Sequence, residues 1–213
     1  MSTLVYMKLL ERTPARYDRG MRLLTLGRID RIKREIARRW VDAGDTVLEI
    51  GCGTGTLAAM LLERGAHVVG IDISDAMLAV ARANAPGAEI LHMTATEIGA
   101  LGERRFHRVV ATLTLSELSS DELDHVLGLA RGMLEPGGTV VLADEVRPPT
   151  RWQRALAACV RWPMAALTFL LTRSTSRALK GLEPRLARAG LRVLHHESFL
   201  LGTLALVVAE REG

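Results

Sequence analysis

Val47-Leu48-Glu49-Ile50-Gly51-Cys52-Gly53-Thr54-Gly55 runs from an apolar stretch into three glycines at alternate positions. Val47 to Ile50 reads as a buried strand, and Thr54 to Glu63 carries apolar residues at helical spacing. The glycines form the turn between them. Without a Cβ they permit positive φ, a tight strand-to-helix reversal and close approach of the main chain to a ligand. The spacing is E-x-G-x-G-x-G, with Thr at position 56. It is therefore not the G-x-G-x-x-G of a dinucleotide fold, whose third glycine packs helix on strand. A second strand, His67 to Ile71, ends in Asp72, about twenty residues further on, where a carboxylate can accept both hydroxyls of a ribose.

The chain of 213 residues is one domain's worth, long enough to bury a core without metals or disulfides. Hydrophobic residues at 48% and charged ones at 24% are globular values and argue against disorder. Only Lys8, Lys33 and Lys180 are lysines, so the basic side chains are almost all arginine. The arginines gather before the glycine turn, from Arg12 to Arg39, and again from Arg147 to Arg177. They read as solvated helix faces or as a surface for an anionic partner such as a phospholipid layer. Aromatic residues make up 4% of the chain, too few for base-stacking platforms, so a nucleic acid is not expected as partner. Cys52 and Cys159 have no metal-ligand spacing, which fits a reduced compartment and no metal centre. Met1 to Leu10 lacks the basic and apolar segments of a signal peptide, and a cytoplasmic location is expected.

The glycine turn followed by the acid at the end of strand two resembles the first two motifs of the class I S-adenosylmethionine-dependent methyltransferases. Within that family the chain is similar to the quinone-methylating (UbiE-like) group. The resemblance implies a Rossmann-like, seven-stranded, mostly parallel α/β sheet with helices on both faces and an antiparallel last strand. It implies one domain over 1–213, with an N-terminal helical segment 1–41 and a helical lid insertion 150–175. The cofactor implied is S-adenosyl-L-methionine, and the reaction is methyl transfer to a small, partly apolar acceptor. The positions implied to bind the cofactor are Tyr17, Glu49, Gly51, Cys52, Gly53, Gly55, Asp72, Ile73, Met77, Thr94, Ala95, Thr96 and Thr112.

Other segments add detail. Arg28 to Trp40 has one amphipathic helical period, with Ile29, Ile32, Ile36 and Trp40 on the inner side. Ser74 caps a helix through Asn84, which places Met77 on its inner face. Ala88 to His92 reads as strand three. The segment after it usually carries an Asp for the adenine amino group in this family, whereas Thr94 stands there in this chain. Its hydroxyl or the neighbouring backbone has to serve instead. Phe106 to Leu113 reads as strand four, covered on both faces. Its C-terminal end, at Thr112, emerges at the switch point beside strand one, where donor and acceptor are expected to meet.

Ser119 caps a helix that Pro136-Gly137-Gly138 ends before strand five, Thr139 to Ala143. Asp144-Glu145 follows, as a substrate-facing pair or a solvated strand end. Arg192 to Glu197 and Phe199 to Ala209 read as two closing strands. Trp152 to Leu171 is apolar, but Arg161 and Pro163 interrupt it, so a lid is preferred over a membrane span. Interfacial membrane docking or a homodimer surface fits the same stretch.

Segments 7–28, 116–123, 143–148 and 166–172 also look like the small methyltransferases found with corrinoid proteins. That resemblance implies contact with a corrinoid protein. It also leaves open a non-catalytic accessory role, holding S-adenosylmethionine for a corrinoid-dependent system. His92, His107, His125, His195 and His196 are bases by type, but no motif places one at the switch point, so no catalytic residue is assigned.

Overall fold

The computed structural model describes residues 14–148, 152 and 178–212. Most of the expected lid and the first thirteen residues lie outside them. Two helices, α1 (Pro14–Leu24) and α2 (Arg28–Glu35), precede the first strand. The order is then β1 (Thr46–Ile50), α3 (Thr56–Glu63), β2 (His67–Asp72), α4 (Asp75–Asn84), β3 (Glu89–His92), β4 (Phe106–Thr112), α5 (Ser120–Gly132) and β5 (Leu134–Glu145). The closing elements are α6 (Leu182–Arg188), β6 (Leu191–Phe199) and β7 (Leu204–Arg211).

The strands form a seven-stranded sheet in the order β3-β2-β1-β4-β5-β7-β6, in which β7 alone runs antiparallel to its neighbours. This is the expected fold class. Alternation within the strands feeds two cores. Val47, Val110, Val141 and Val208 face α2 and α3, while Leu48, Val109, Leu142 and Val207 face α5 and α6. A parallel sheet covered in this way on both faces needs continuous apolar strands, and Val109, Val110 and Ala111 are all buried. Chain order reverses between β1 and β4, and this opens a crevice above their C-terminal ends.

Three local expectations change. The helical period from Arg28 to Trp40 splits into α2 and a π-helical turn over Ile36–Trp40. The wider turn lets the Trp40 carbonyl accept from Arg108 Nε at 2.8 Å, tying the helix to β4. Pro136-Gly137-Gly138 does not end α5. The helix stops at Gly132, and β5 has already begun at Leu134, opposite Phe106. The two glycines sit where the pairing register shifts, and a Cβ on Gly138 would lie 2.9 Å from the Glu135 carbonyl. Of the last two strands β6 is longer than expected and β7 starts later, at Leu204, and they are joined through Leu200–Gly202 with Leu200 and Leu201 in left-handed backbone.

Candidate active site

The turn after β1 holds Gly51, Gly53 and Gly55 at φ of 70°, 54° and 73°. The three serve different ends. A Cβ on Gly51 would stand 2.0 Å from Thr114 Oγ1, and one on Gly55 would stand 2.9 Å from Ala81 Cα, so both are packed against protein. Gly53 has nothing within 4 Å of that position and faces open space. Its N–H donates to Asp72 Oδ2 at 2.9 Å, while Ser74 N–H donates to Oδ1 at 2.9 Å. Asp72 therefore braces the glycine turn and the start of α4 together. Each carboxylate oxygen keeps lone-pair capacity for a further donor.

A cavity of about 360 Å³ lies over this turn. It falls within the range of small-molecule sites. It is lined by Tyr17, Gly51, Gly53, Asp72, Ile73, Met77, Thr94, Ala95, Thr96 and Thr112 among the expected positions. Ile73 leaves an exposed apolar side chain at its edge, and Met77 is buried in its wall.

Glu49, Cys52 and Gly55 do not line this cavity. Glu49 is buried beneath the turn, with Oε2 lacking a hydrogen-bond partner. Burial pushes its carboxyl up to about 8, with Lys33 opposing and Asp72 adding to the rise. It is thus mostly protonated near neutral pH. Cys52 packs with Leu78, Ala81 and Ile90, and burial raises its thiol well above the usual range, which leaves it unreactive. Strand alternation and the reversal at Gly51 turn these side chains into the support of the site rather than its surface.

Thr94 is also occupied. Its hydroxyl donates to Glu97 Oε2 at 2.9 Å and lies 3.0 Å from Thr96 Oγ1, and its N–H donates to the same Glu97 oxygen at 3.2 Å. A reciprocal capping box starts the turn Ala95–Leu101. The Thr94 side chain is spent on that cap. The neighbouring backbone is the part of the earlier expectation that stays open to a ligand.

Sequence reasoning placed the end of β4, with Leu113 and Thr114, at the switch point but missed the rest of the opposite wall, Glu117, Leu118 and Glu122. Leu113, Thr114, Glu117, Leu118 and Glu122 line the cavity from the loop after β4 and the start of α5. Leu113 holds φ 57° while buried, anchored by its N–H to the Ala143 carbonyl at 2.8 Å. The loop is held from below by Asp144, which accepts from Ser116 N–H at 3.1 Å and Glu145 N–H at 2.7 Å. Asp144 and Glu145 are both buried, so this pair is neither a solvated strand end nor part of the cavity lining. Burial lifts the Asp144 carboxyl to about 6, with the hydrogen bonds from Ser116 opposing. One local signal points to this wall, the Ser119 and Glu122 capping box that starts α5 beside the cleft.

The N-terminal helix closes one side. Thr54 Oγ1 donates to Asp18 Oδ2 at 2.9 Å and Thr56 Oγ1 to the same oxygen at 3.1 Å, so α1 is latched to the glycine turn beside Tyr17. A smaller cavity of about 30 Å³ continues behind the turn and brings in Lys33. Lys33 was legible: in helical projection it falls on the side of Ile29 and Ile36, away from the arginines. No histidine lines either cavity among the described residues. His107 bonds Thr46, His92 pairs with Asp75, and His196 pairs with Glu183. Glu35, His195 and Glu197 bring ligand atoms within 4.8 Å of one another at β6, but none of them lines the cleft, and Glu35 is already paired with Arg39.

Several known proteins are similar to this chain in sequence or in fold. Residues 47–138 match the family model of a methyltransferase domain. A demethylmenaquinone methyltransferase from Clavibacter sepedonicus is 34% identical over 140 residues, covering 62% of this chain and 55% of that protein. A ubiquinone biosynthesis O-methyltransferase from Ruegeria pomeroyi is 29% identical over 205 residues, covering 87% and 78%. The chain spans about half the length of several such curated relatives. Among solved structures, an O-methyltransferase family protein from Burkholderia thailandensis superposes with a TM-score of 0.72 at 18% identity, over 95% of this chain and 62% of that one. The Synechocystis magnesium protoporphyrin IX methyltransferase with bound SAH gives 0.66 at 18% identity, over 86% and 82%. Over residues 47–138 the chain is similar to a methyltransferase domain, and the curated relatives named here are methyltransferases of quinone biosynthesis.

Proposed function

We infer that this chain, a relative of the class I methyltransferases, transfers a methyl group from S-adenosylmethionine to a small, partly apolar acceptor. The observation that carries the reading is Asp72, whose carboxylate is fixed by Gly53 N–H and Ser74 N–H at the rim of the cavity. A ribose needs such an acceptor, and the open face of Gly53 supplies the close backbone approach that the rest of the cofactor needs. The residues present fit the cofactor. Asp72 would hold the ribose hydroxyls, Ile73 and Met77 would flank the adenine, and Lys33 suits a carboxylate beyond the turn.

The cofactor supplies an activated methyl on a sulfonium, so the acceptor–carbon bond forms as the carbon–sulfur bond breaks and a neutral thioether leaves. The chain's own work is alignment and water exclusion. Tyr17 closes the cleft from α1, while Thr112, Leu113 and Thr114 form the floor near the switch point. Leu113 and Leu118 give the acceptor side its apolar surface, and Glu117 and Glu122 give it an acidic rim. The names of the menaquinone and ubiquinone relatives support an acceptor with an aromatic, hydroxylated ring. No match named above carries the corrinoid association suggested by segments 7–28, 116–123, 143–148 and 166–172.

The test is transfer of methyl label from S-adenosylmethionine to a panel of hydroxylated quinols and phenols, with S-adenosylhomocysteine release measured in parallel. Label in an extractable small product is expected. Cofactor binding with no product from the panel or from a metabolite extract would overturn the transferase reading in favour of an accessory role. Binding of NAD but not of S-adenosylhomocysteine would overturn the cofactor assignment.

A further inference from the structure

We propose that the α1–α2 hairpin docks on a bilayer surface rich in anionic phospholipid, with Leu23 and Leu26 inserted among the headgroups and arginines on the phosphates. Residues 14–40 hold nine of the chain's 28 basic side chains and three of its 24 acidic ones, a net +6 within a protein of net +4. The rest of the chain is therefore net −2 overall, and the hairpin is one of two strongly basic segments, the other being residues 147–180 with seven basic side chains and no acidic one.

The acidic groups there are already engaged. Asp18 accepts from Thr54 and Thr56, Asp30 pairs with Arg22 at 2.7 Å, and Glu35 pairs with Arg39 at 3.6 Å. Arg31, Arg34 and Arg38 follow one another on the face of the helix opposite the buried Ile29, Ile32 and Ile36, and all three are exposed.

The apolar part is at the tip. Leu23 is 77% exposed and Leu26 is 76% exposed, the two largest such values among the described apolar side chains. The turn between the helices is firmly built. Buried Thr25 donates its hydroxyl to the Met21 carbonyl at 2.7 Å and accepts from Ile29 N–H at 3.3 Å, and Gly27 N–H reaches the Arg22 carbonyl at 2.7 Å. Leu26 sits in this turn at φ 51°, a left-handed backbone that disfavours a Cβ and suits Gly or Asn. A leucine held there gains no burial within the fold. Its apolar surface has a use only outside it.

Protruding leucines at the tip of a hairpin that also carries exposed arginines match the chemistry of an interfacial membrane site. A nucleic acid would match the arginines alone. The hairpin also carries Tyr17 into the cavity, six residues or about 9 Å along α1 from Leu23. Docking would therefore set the cleft beside the layer in which a partly apolar acceptor dissolves. That consequence rests on the proposed function; the surface itself does not.

The experiment is flotation of the full chain with vesicles of phosphatidylcholine and with equimolar phosphatidylcholine–phosphatidylglycerol. Binding only to the anionic vesicles is expected. Leu23→Ser with Leu26→Asn should abolish flotation, and Arg31→Gln with Arg34→Gln and Arg38→Gln should weaken it roughly 100-fold, at about fivefold per arginine near an anionic surface. S-adenosylhomocysteine affinity and circular dichroism should stay unchanged in both variants, which separates this result from a failed fold or cofactor site. Wild-type protein left in the soluble fraction with both vesicles overturns the proposal. So does equal flotation of the leucine variant, or binding to duplex DNA with none to vesicles.

Discussion

Replacing Asp72 by Asn tests the site at its centre. The carboxylate now takes one N–H on each oxygen, from Gly53 and Ser74, both at 2.9 Å. An amide keeps one acceptor and turns a donor toward the other N–H, so one brace becomes a donor–donor conflict. Leaving one part-buried N–H unpaired costs about 1–3 kcal/mol of stability. The ribose hydroxyls lose a charged acceptor at the same time. A hydrogen bond to a charged group contributes about 1.5–3 kcal/mol, and the remaining amide oxygen recovers part of it. Cofactor affinity should then fall by about 1–3 kcal/mol, roughly 5- to 150-fold in Kd.

Calorimetric titration with S-adenosylhomocysteine, alongside thermal melts without it, separates the two losses. The Asp72 charge also helps to hold the Glu49 carboxyl up, so Asp72→Asn should lower the Glu49 titration midpoint in a carboxyl-resolved NMR titration. A Kd within twofold of wild type would refute the ribose assignment, even if the melting temperature fell.

Gly51→Ala should lose more than 2 kcal/mol in urea unfolding, from the left-handed φ and the overlap with Thr114. Thr114→Gly in the same chain should restore part of that loss, while Thr114→Ala should restore less because the Thr114 Cβ itself stands 2.8 Å from the new atom. Glu49 has a folded midpoint near 8 against an ordinary 4.5, so the native state binds the extra proton. Stability is then fully present below the unfolded value and falls as pH rises from about 5 through 8. Glu49→Gln should flatten that decline in melts across the same range, and an unchanged slope would reject the assignment. Asp18→Ala removes the acceptor of the Thr54 and Thr56 hydroxyls, so hydrogen exchange over residues 14–27 should quicken while exchange in β4 stays slow.

The glycine turn, Asp72, the Ser74 cap and the sheet class were legible because each is local. A positive φ needs glycine, a strand end offers an acid, and a cap needs a hydroxyl within three residues. The same locality explains the misplaced boundaries around Trp40 and Gly138, where partners about seventy residues away on β4, or thirty on the same sheet, set the geometry. Thr94 shows the limit clearly. Its position in the chain suited adenine, yet its neighbour Glu97 claims the hydroxyl.

By itself the sequence determined a covered parallel sheet and a backbone shaped for close approach of a ligand, since periodicity and glycine placement act over a few residues. Only the tertiary structure decided that Glu49 and Cys52 lie beneath the cleft, that Asp144 props the facing wall, and that Asp18 latches α1 over the turn. Those roles depend on burial and on pairs far apart in the chain, which no local pattern encodes.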